Sequence, residues 1–132
     1  MTSRILLADD DLDDQGLFLD ALRQIDASIT LLTAVNGIDA LHRLEQHEQL
    51  PDLVFLDLNM PLMNGMQCLR EIKKEEAFEH IPVVIYSTSS YQRDIDSAKN
   101  AGAADYLVKP FSFSELCDNV RNILEKYYQH VV

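Results

Sequence analysis

Three features of the sequence predict an α/β domain built on a parallel sheet. Five short apolar runs alternate with five segments of helical periodicity. Several runs are apolar without interruption, as strands covered on both faces are. Aspartates, hydroxyl residues and a lysine follow the runs directly, on the edge where open parallel sheets bind ligands.

The first strand, 4–8, is the run Ile5-Leu6-Leu7-Ala8. It delivers the string DDDLDD, in which five of the six residues from Asp9 to Asp14 are aspartates. A helix over 12–25 follows, with Leu17, Ala21 and Leu22 at helical spacing. Asp11, Asp13 and Asp14 suit the start of that helix, as cap and first-turn residues facing its positive end. A strand over 30–35 and a helix over 37–48, with Leu41 and Leu44, come next. The third strand, 53–57, is Leu53-Val54-Phe55-Leu56 and closes on Asp57. A helix over 65–77 leads to the fourth strand, 82–87, which ends at Ser87 and Thr88. A helix over 91–101 leads to the fifth strand, 104–108, which precedes Lys109. The last helix, 113–128, carries Leu116, Val120, Ile123 and Leu124 on one stripe. Gly37, Gly65 and Gly102 fall at junctions, where a helix boundary or a left-handed turn is expected.

A length of 132 residues fits one domain, 1–132, with room for a real core. The net charge of −11, from 22 acidic and 11 basic residues, argues against nucleic acid and anionic membrane partners. No apolar stretch approaches the roughly 20 residues of a membrane helix, and the N-terminus lacks the shape of a signal peptide. Cys68 and Cys117 have no metal or redox spacing, so a reducing, cytoplasmic setting is expected, with both thiols packed as small apolar groups. His42 and His47 are five apart rather than four; with His80 and His130 they read as solvated surface residues.

The parallel sheet would bring Asp9, Asp10, Asp57, Ser87, Thr88 and Lys109 to one rim, although they lie far apart in sequence. Crowded carboxylates repel, and loss of water raises the cost of each. Such a cluster calls for a cation, and an all-oxygen ligand set suits a hard divalent ion such as Mg²⁺.

Four segments together resemble the receiver domain of two-component response regulators. They are Ile5-Leu6-Leu7-Ala8-Asp9-Asp10-Asp11, Leu56-Asp57-Leu58-Asn59-Met60-Pro61 with Gly65 beyond, Val84-Ile85-Tyr86-Ser87-Thr88, and Gly102-Ala103-Ala104-Asp105-Tyr106-Leu107-Val108-Lys109-Pro110-Phe111. The resemblance covers essentially the whole chain, is of the stand-alone chemotaxis-receiver type, and implies the flavodoxin-like strand order 2-1-3-4-5. It implies that Asp57 is the phosphoacceptor. It implies that Asp10, Asp57 and the Asn59 backbone carbonyl hold Mg²⁺, with Asp9 reaching the metal through water. It implies that Lys109 and Ser87 contact phosphoryl oxygens and that Ser87 and Tyr106 form a switch. It further implies a cis Lys109-Pro110 bond. Ser87 stands where the family more often has threonine, which loses a methyl that stiffens the rotamer. Asn59 and Ser89 occupy positions that tune phosphoryl lifetime in the family.

The function expected is therefore a phosphorylation-dependent signalling switch rather than an enzyme. Its partners would be a histidine kinase or a histidine phosphotransfer protein, and a downstream protein on the face of the fourth helix, fifth strand and fifth helix. A phosphorelay intermediate is the alternative. A Mg²⁺-dependent phosphatase is disfavoured, because Asn59 stands where such enzymes place an acidic general acid. A flavin-binding module is disfavoured because DDDLDD would repel its phosphate. With no further segment for output in cis, output would pass through a protein partner.

Overall fold

The computed structural model describes residues 3–46 and 50–128. In chain order the elements are β1 (Arg4–Ala8), α1 (Leu12–Ile25), β2 (Thr30–Ala34), α2 (Gly37–Gln46) and β3 (Leu53–Leu56). There follow α3 (Gly65–Lys74), β4 (Val83–Ser87), α4 (Gln92–Asn100), β5 (Asp105–Val108) and α5 (Phe113–Tyr127). The expected helix positions 47 and 48, with His47 and His130, lie outside the described residues, while His42 and His80 are exposed.

The five strands form one parallel sheet in the order β2-β1-β3-β4-β5, as the resemblance implied. The unbroken apolar runs are explained by the two-residue repeat of a strand with both faces covered. Ile5 and Leu7 of β1, with Leu53 and Phe55 of β3, point to one side and pack with Phe18, Leu22, Val120 and Leu124 of α1 and α5. Leu6, Ala8, Val54 and Leu56 point to the other side, against Ala40, Leu44, Leu69 and Ile72 of α2 and α3. On the first side Phe18, Phe55 and Tyr86 meet edge to face, with centroids 4.8, 5.6 and 6.4 Å apart. Full burial of such a side chain contributes roughly 1.5–3 kcal/mol.

Helix starts follow local chemistry. The Asp11 carboxylate accepts from the amides of Asp13 and Asp14 and caps α1. Asn64 and Gln67 form a reciprocal capping box on α3. Ser112 accepts from the Glu115 amide and caps α5. Gly102 adopts φ +105°, the left-handed turn that closes α4.

The α3 helix ends at Lys74, three residues before the expected boundary at 77. Lys73 Nζ donates to the carbonyls of Glu79 (2.9 Å) and Ile81 (2.8 Å). Those bonds and the buried Phe78 turn the chain back toward β4. Among the described residues, no helix is long and apolar enough to cross a membrane.

Candidate functional site

The strand order reverses between β1 and β3, and the carboxylates gather at that point. The Asp57 amide donates to the Ala8 carbonyl (2.9 Å), so the two strand ends leave the sheet side by side. Asp9 is completely buried, Asp57 nearly so, and Asp10 is exposed. One oxygen from each of Asp9, Asp10 and Asp57 can lie within 4.8 Å of the others. Oxygens bound to Mg²⁺ at about 2.1 Å stand at most about 4.2 Å apart, so a small contraction gives a fitting hard-oxygen ligand set.

Gly65 explains how α3 can seat directly behind Asp57. A Cβ at this position would overlap the Asp57 carbonyl oxygen. The Gly65 amide donates to the Leu58 carbonyl (3.1 Å). Between them, Leu62 adopts φ 66°, an uncommon conformation for a non-glycine residue, and its side chain is exposed.

Lys109 reaches the pit from the end of β5. Its Nζ donates to Asp14 Oδ2 (2.7 Å), Asp9 Oδ2 (2.8 Å) and Asp57 Oδ2 (3.0 Å), and lies 5.1 Å from the centroid of the Tyr86 ring. Burial works against the ammonium charge, but the hydrogen bonds it donates to Asp14, Asp9 and Asp57 outweigh that and hold the Lys109 pKa above its usual value. Burial raises Asp9 to about 6, against the opposing hydrogen bonds from Lys109 Nζ and the Asp11 amide. Desolvation therefore outweighs the single nearby cation at Asp9. Gln15 Nε2 donates to the carbonyls of Asp9 (2.7 Å) and Ala34 (3.2 Å), which pins the end of β1.

Ser87 is completely buried, and its Oγ accepts from the Ser89 amide (3.1 Å). Tyr106 is half-buried, and its hydroxyl donates to the Ser89 carbonyl (2.8 Å). The two are thus joined through the backbone of Ser89. Asn59 is exposed, and its amide donates to Asp57 Oδ1 (3.3 Å).

Two expectations are corrected. Among the described residues no peptide bond is cis, so Lys109-Pro110 is trans. Trans is the intrinsically favoured isomer of X–Pro, and Lys109 Nζ meets all three carboxylates from it. Asp14 does not merely start α1; its carboxylate turns inward to Lys109. A sequence signal for this exists. Asp14 stands one turn before Phe18 and two before Leu22, so it is the polar member of an apolar helical stripe. The role of Gln15 as a carbonyl clip has no comparable signal.

The family model described as "Response regulator receiver domain" matches residues 5–121. The chain belongs to that family. Receiver domains of this family are the phosphorylation-dependent switches of two-component signalling. The transcriptional regulatory protein PrrA of Mycobacterium tuberculosis is 33% identical over 123 residues, covering 93% of this chain and 50% of that protein. The chain thus spans half the length of that regulator. The crystal structure of the phosphorylated cyanobacterial phytochrome response regulator RcpA superposes with a TM-score of 0.90 at 30% identity, over 100% of this chain and 98% of that one. The Mn²⁺-bound response regulator Rcp1 superposes with a TM-score of 0.85 at 28% identity, over 98% and 97% of the two chains.

Proposed function

We propose that this receiver domain takes a phosphoryl group from a histidine kinase or histidine phosphotransfer protein onto Asp57. The observation that carries this is the placement of Asp57 at the β1/β3 reversal, buried, 3.0 Å from the Lys109 ammonium. An Asp57 carboxylate oxygen bonds to phosphorus as the phosphorus–nitrogen bond of a phosphohistidine breaks. The imidazole nitrogen keeps the bonding pair, and Asp57 becomes an acyl phosphate. Lys109 and the Ser87 hydroxyl donate to the phosphoryl oxygens.

Asp10, Asp57 and the Asn59 carbonyl would hold Mg²⁺, with Asp9 reaching it through water. The bound ion supplies positive charge to the transferring phosphoryl oxygens. The all-oxygen trio and the Mn²⁺-bound relative support a divalent ion here.

The chain acts as a stoichiometric switch. Leu12, Leu62 and Phe111, each just beyond the carboxyl end of a strand, are exposed and offer apolar contact to a protein docking over the pit. The full-length match to a phytochrome response regulator makes a photoreceptor-linked kinase the first partner to test. The face of α4, β5 and α5 carries the downstream contact.

Acetyl phosphate and intact-mass spectrometry test the reading. The chain should gain one phosphoryl group in the presence of Mg²⁺ and none with the metal chelated. Uptake by Asp57→Asn at the same rate would overturn it.

A further inference from the structure

The Lys109 ammonium has three N–H bonds, and Asp14, Asp9 and Asp57 accept them at 2.7, 2.8 and 3.0 Å. Asp9 and Asp57 belong to the trio that fits a divalent ion; Asp14 does not. Asp14 also comes from a helix rather than a strand end, and its amide is held by Asp11 Oδ1 at 3.2 Å. Once an ion draws on Asp9 and Asp57, and an Asp57 oxygen is bonded to phosphorus, Asp14 is the carboxylate left to hold the lysine.

We propose that Asp14 is a positioning residue, tethering Lys109 so that its free N–H bonds face the phosphoryl group on Asp57. This rests on the proposed roles of Asp57 and of the metal trio. With one partner fixed on α1, the ammonium stays in the pit through metal binding and transfer. The Tyr86 ring, 5.1 Å from Nζ, supports it from the side. Without Asp14, metal binding would leave Lys109 with weakened partners and access to solvent.

Two measurements on the full chain test the tether. The first is acetylation of lysines followed by mass spectrometry, with exposed Lys99 as internal reference. In the parent chain Lys109 should stay protected with and without Mg²⁺. In Asp14→Asn, addition of Mg²⁺ should speed Lys109 acetylation roughly tenfold, the worth of one charge-assisted hydrogen bond. Asp14→Ser, which also suits the start of a helix, should behave as the asparagine variant does. The second is the rate of phosphorylation by acetyl phosphate at saturating Mg²⁺. Asp14→Asn should slow it by about tenfold by the same reckoning, whereas adding Asp14→Asn to Lys109→Ala should cause no further loss.

Unchanged protection of Lys109 in both Asp14 variants would overturn the tether. So would an equal slowing by Asp14→Asn in the Lys109→Ala background, since Asp14 would then act without the lysine. Failure of the parent chain to gain a phosphoryl group would instead sink the proposed function, while the acetylation pattern would still decide the tether.

Discussion

Cys68 and Lys109 answer burial in opposite ways because only one of them has partners for its charge. Lys109 is ringed by carboxylates and stays charged. The thiolate of Cys68 has no such support. Its thiol donates to the Gly37 carbonyl, and burial, with the nearby Glu71 charge, pushes it up to about 12 from the ordinary 9.0. The folded state thus holds this proton more tightly than the unfolded chain. Above pH 9 the unfolded chain releases it first, so this group lowers stability as pH rises toward 12. Urea denaturation between pH 8 and 10.5 should show a downward slope that is shallower in Cys68→Ala. Native iodoacetamide labelling should mark Cys117 while sparing Cys68; rapid labelling of Cys68 in folded protein would contradict the account. Asp9, Asp10, Asp57, Ser87, Tyr106 and Lys109 are legible in the sequence, because each lies within an apolar run or at its carboxyl end. A first-turn aspartate such as Asp14 normally serves the helix start, and only its alignment with Phe18 and Leu22 points inward.

The loop from β4 to α4 is knotted around Ser89. Its amide donates to Ser87 Oγ, its carbonyl accepts from Tyr106, and its own Oγ donates to Asp94 Oδ2 (2.5 Å) and accepts from the Tyr91 amide (3.3 Å). Tyr91 itself supplies no side-chain cap to α4, so Ser89 and Asp94 stabilise that helix start instead. These bonds join the two switch residues: any shift of the Ser87 hydroxyl is felt by the Ser89 peptide and from there by Tyr106 and α4. Beryllofluoride bound at Asp57 should therefore shift amides from Ser87 through Asp94 and at Tyr106. In Ser87→Ala the shifts should shrink to the Asp57 pocket, and in Tyr106→Phe they should stop short of β5. Shifts that ignore both substitutions would place the output on another face. Element existence and type were readable throughout, whereas ends were displaced by a residue or two. The largest displacement, at α3, traces to Lys73 bonding carbonyls six and eight residues onward, a contact that periodicity does not encode.

The molecule as a whole carries eleven more negative than positive charges, and it concentrates four aspartates around one lysine. Mg²⁺ that binds only the folded chain should raise its melting temperature. At ten times the dissociation constant the gain is about 1.4 kcal/mol, or roughly 5 °C for a domain of this size. Asp10 is exposed and makes no bond to Lys109, so Asp10→Asn should leave metal-free stability within about 0.5 kcal/mol of the parent, as surface changes usually do. The same variant should lose most of the Mg²⁺-dependent rise. Scanning calorimetry with and without Mg²⁺ checks both halves, and a large metal-free loss in Asp10→Asn would show that this carboxylate has a structural partner.

The placement of Lys109 on the last strand has a consequence for how the chain is made. Synthesis delivers Asp9, Asp10 and Asp14 first and Asp57 next, and the neutralising ammonium follows 52 residues after Asp57. β1 becomes an interior strand only when β3 has paired beside it, and β5, just before Lys109, is the far edge of the sheet. A nascent chain therefore carries its repelling carboxylates without their lysine until β5 and the residue after it have left the ribosome. A chain halted before residue 109 lacks both the β5 edge and the neutralising ammonium, and should remain open and vulnerable to proteolysis.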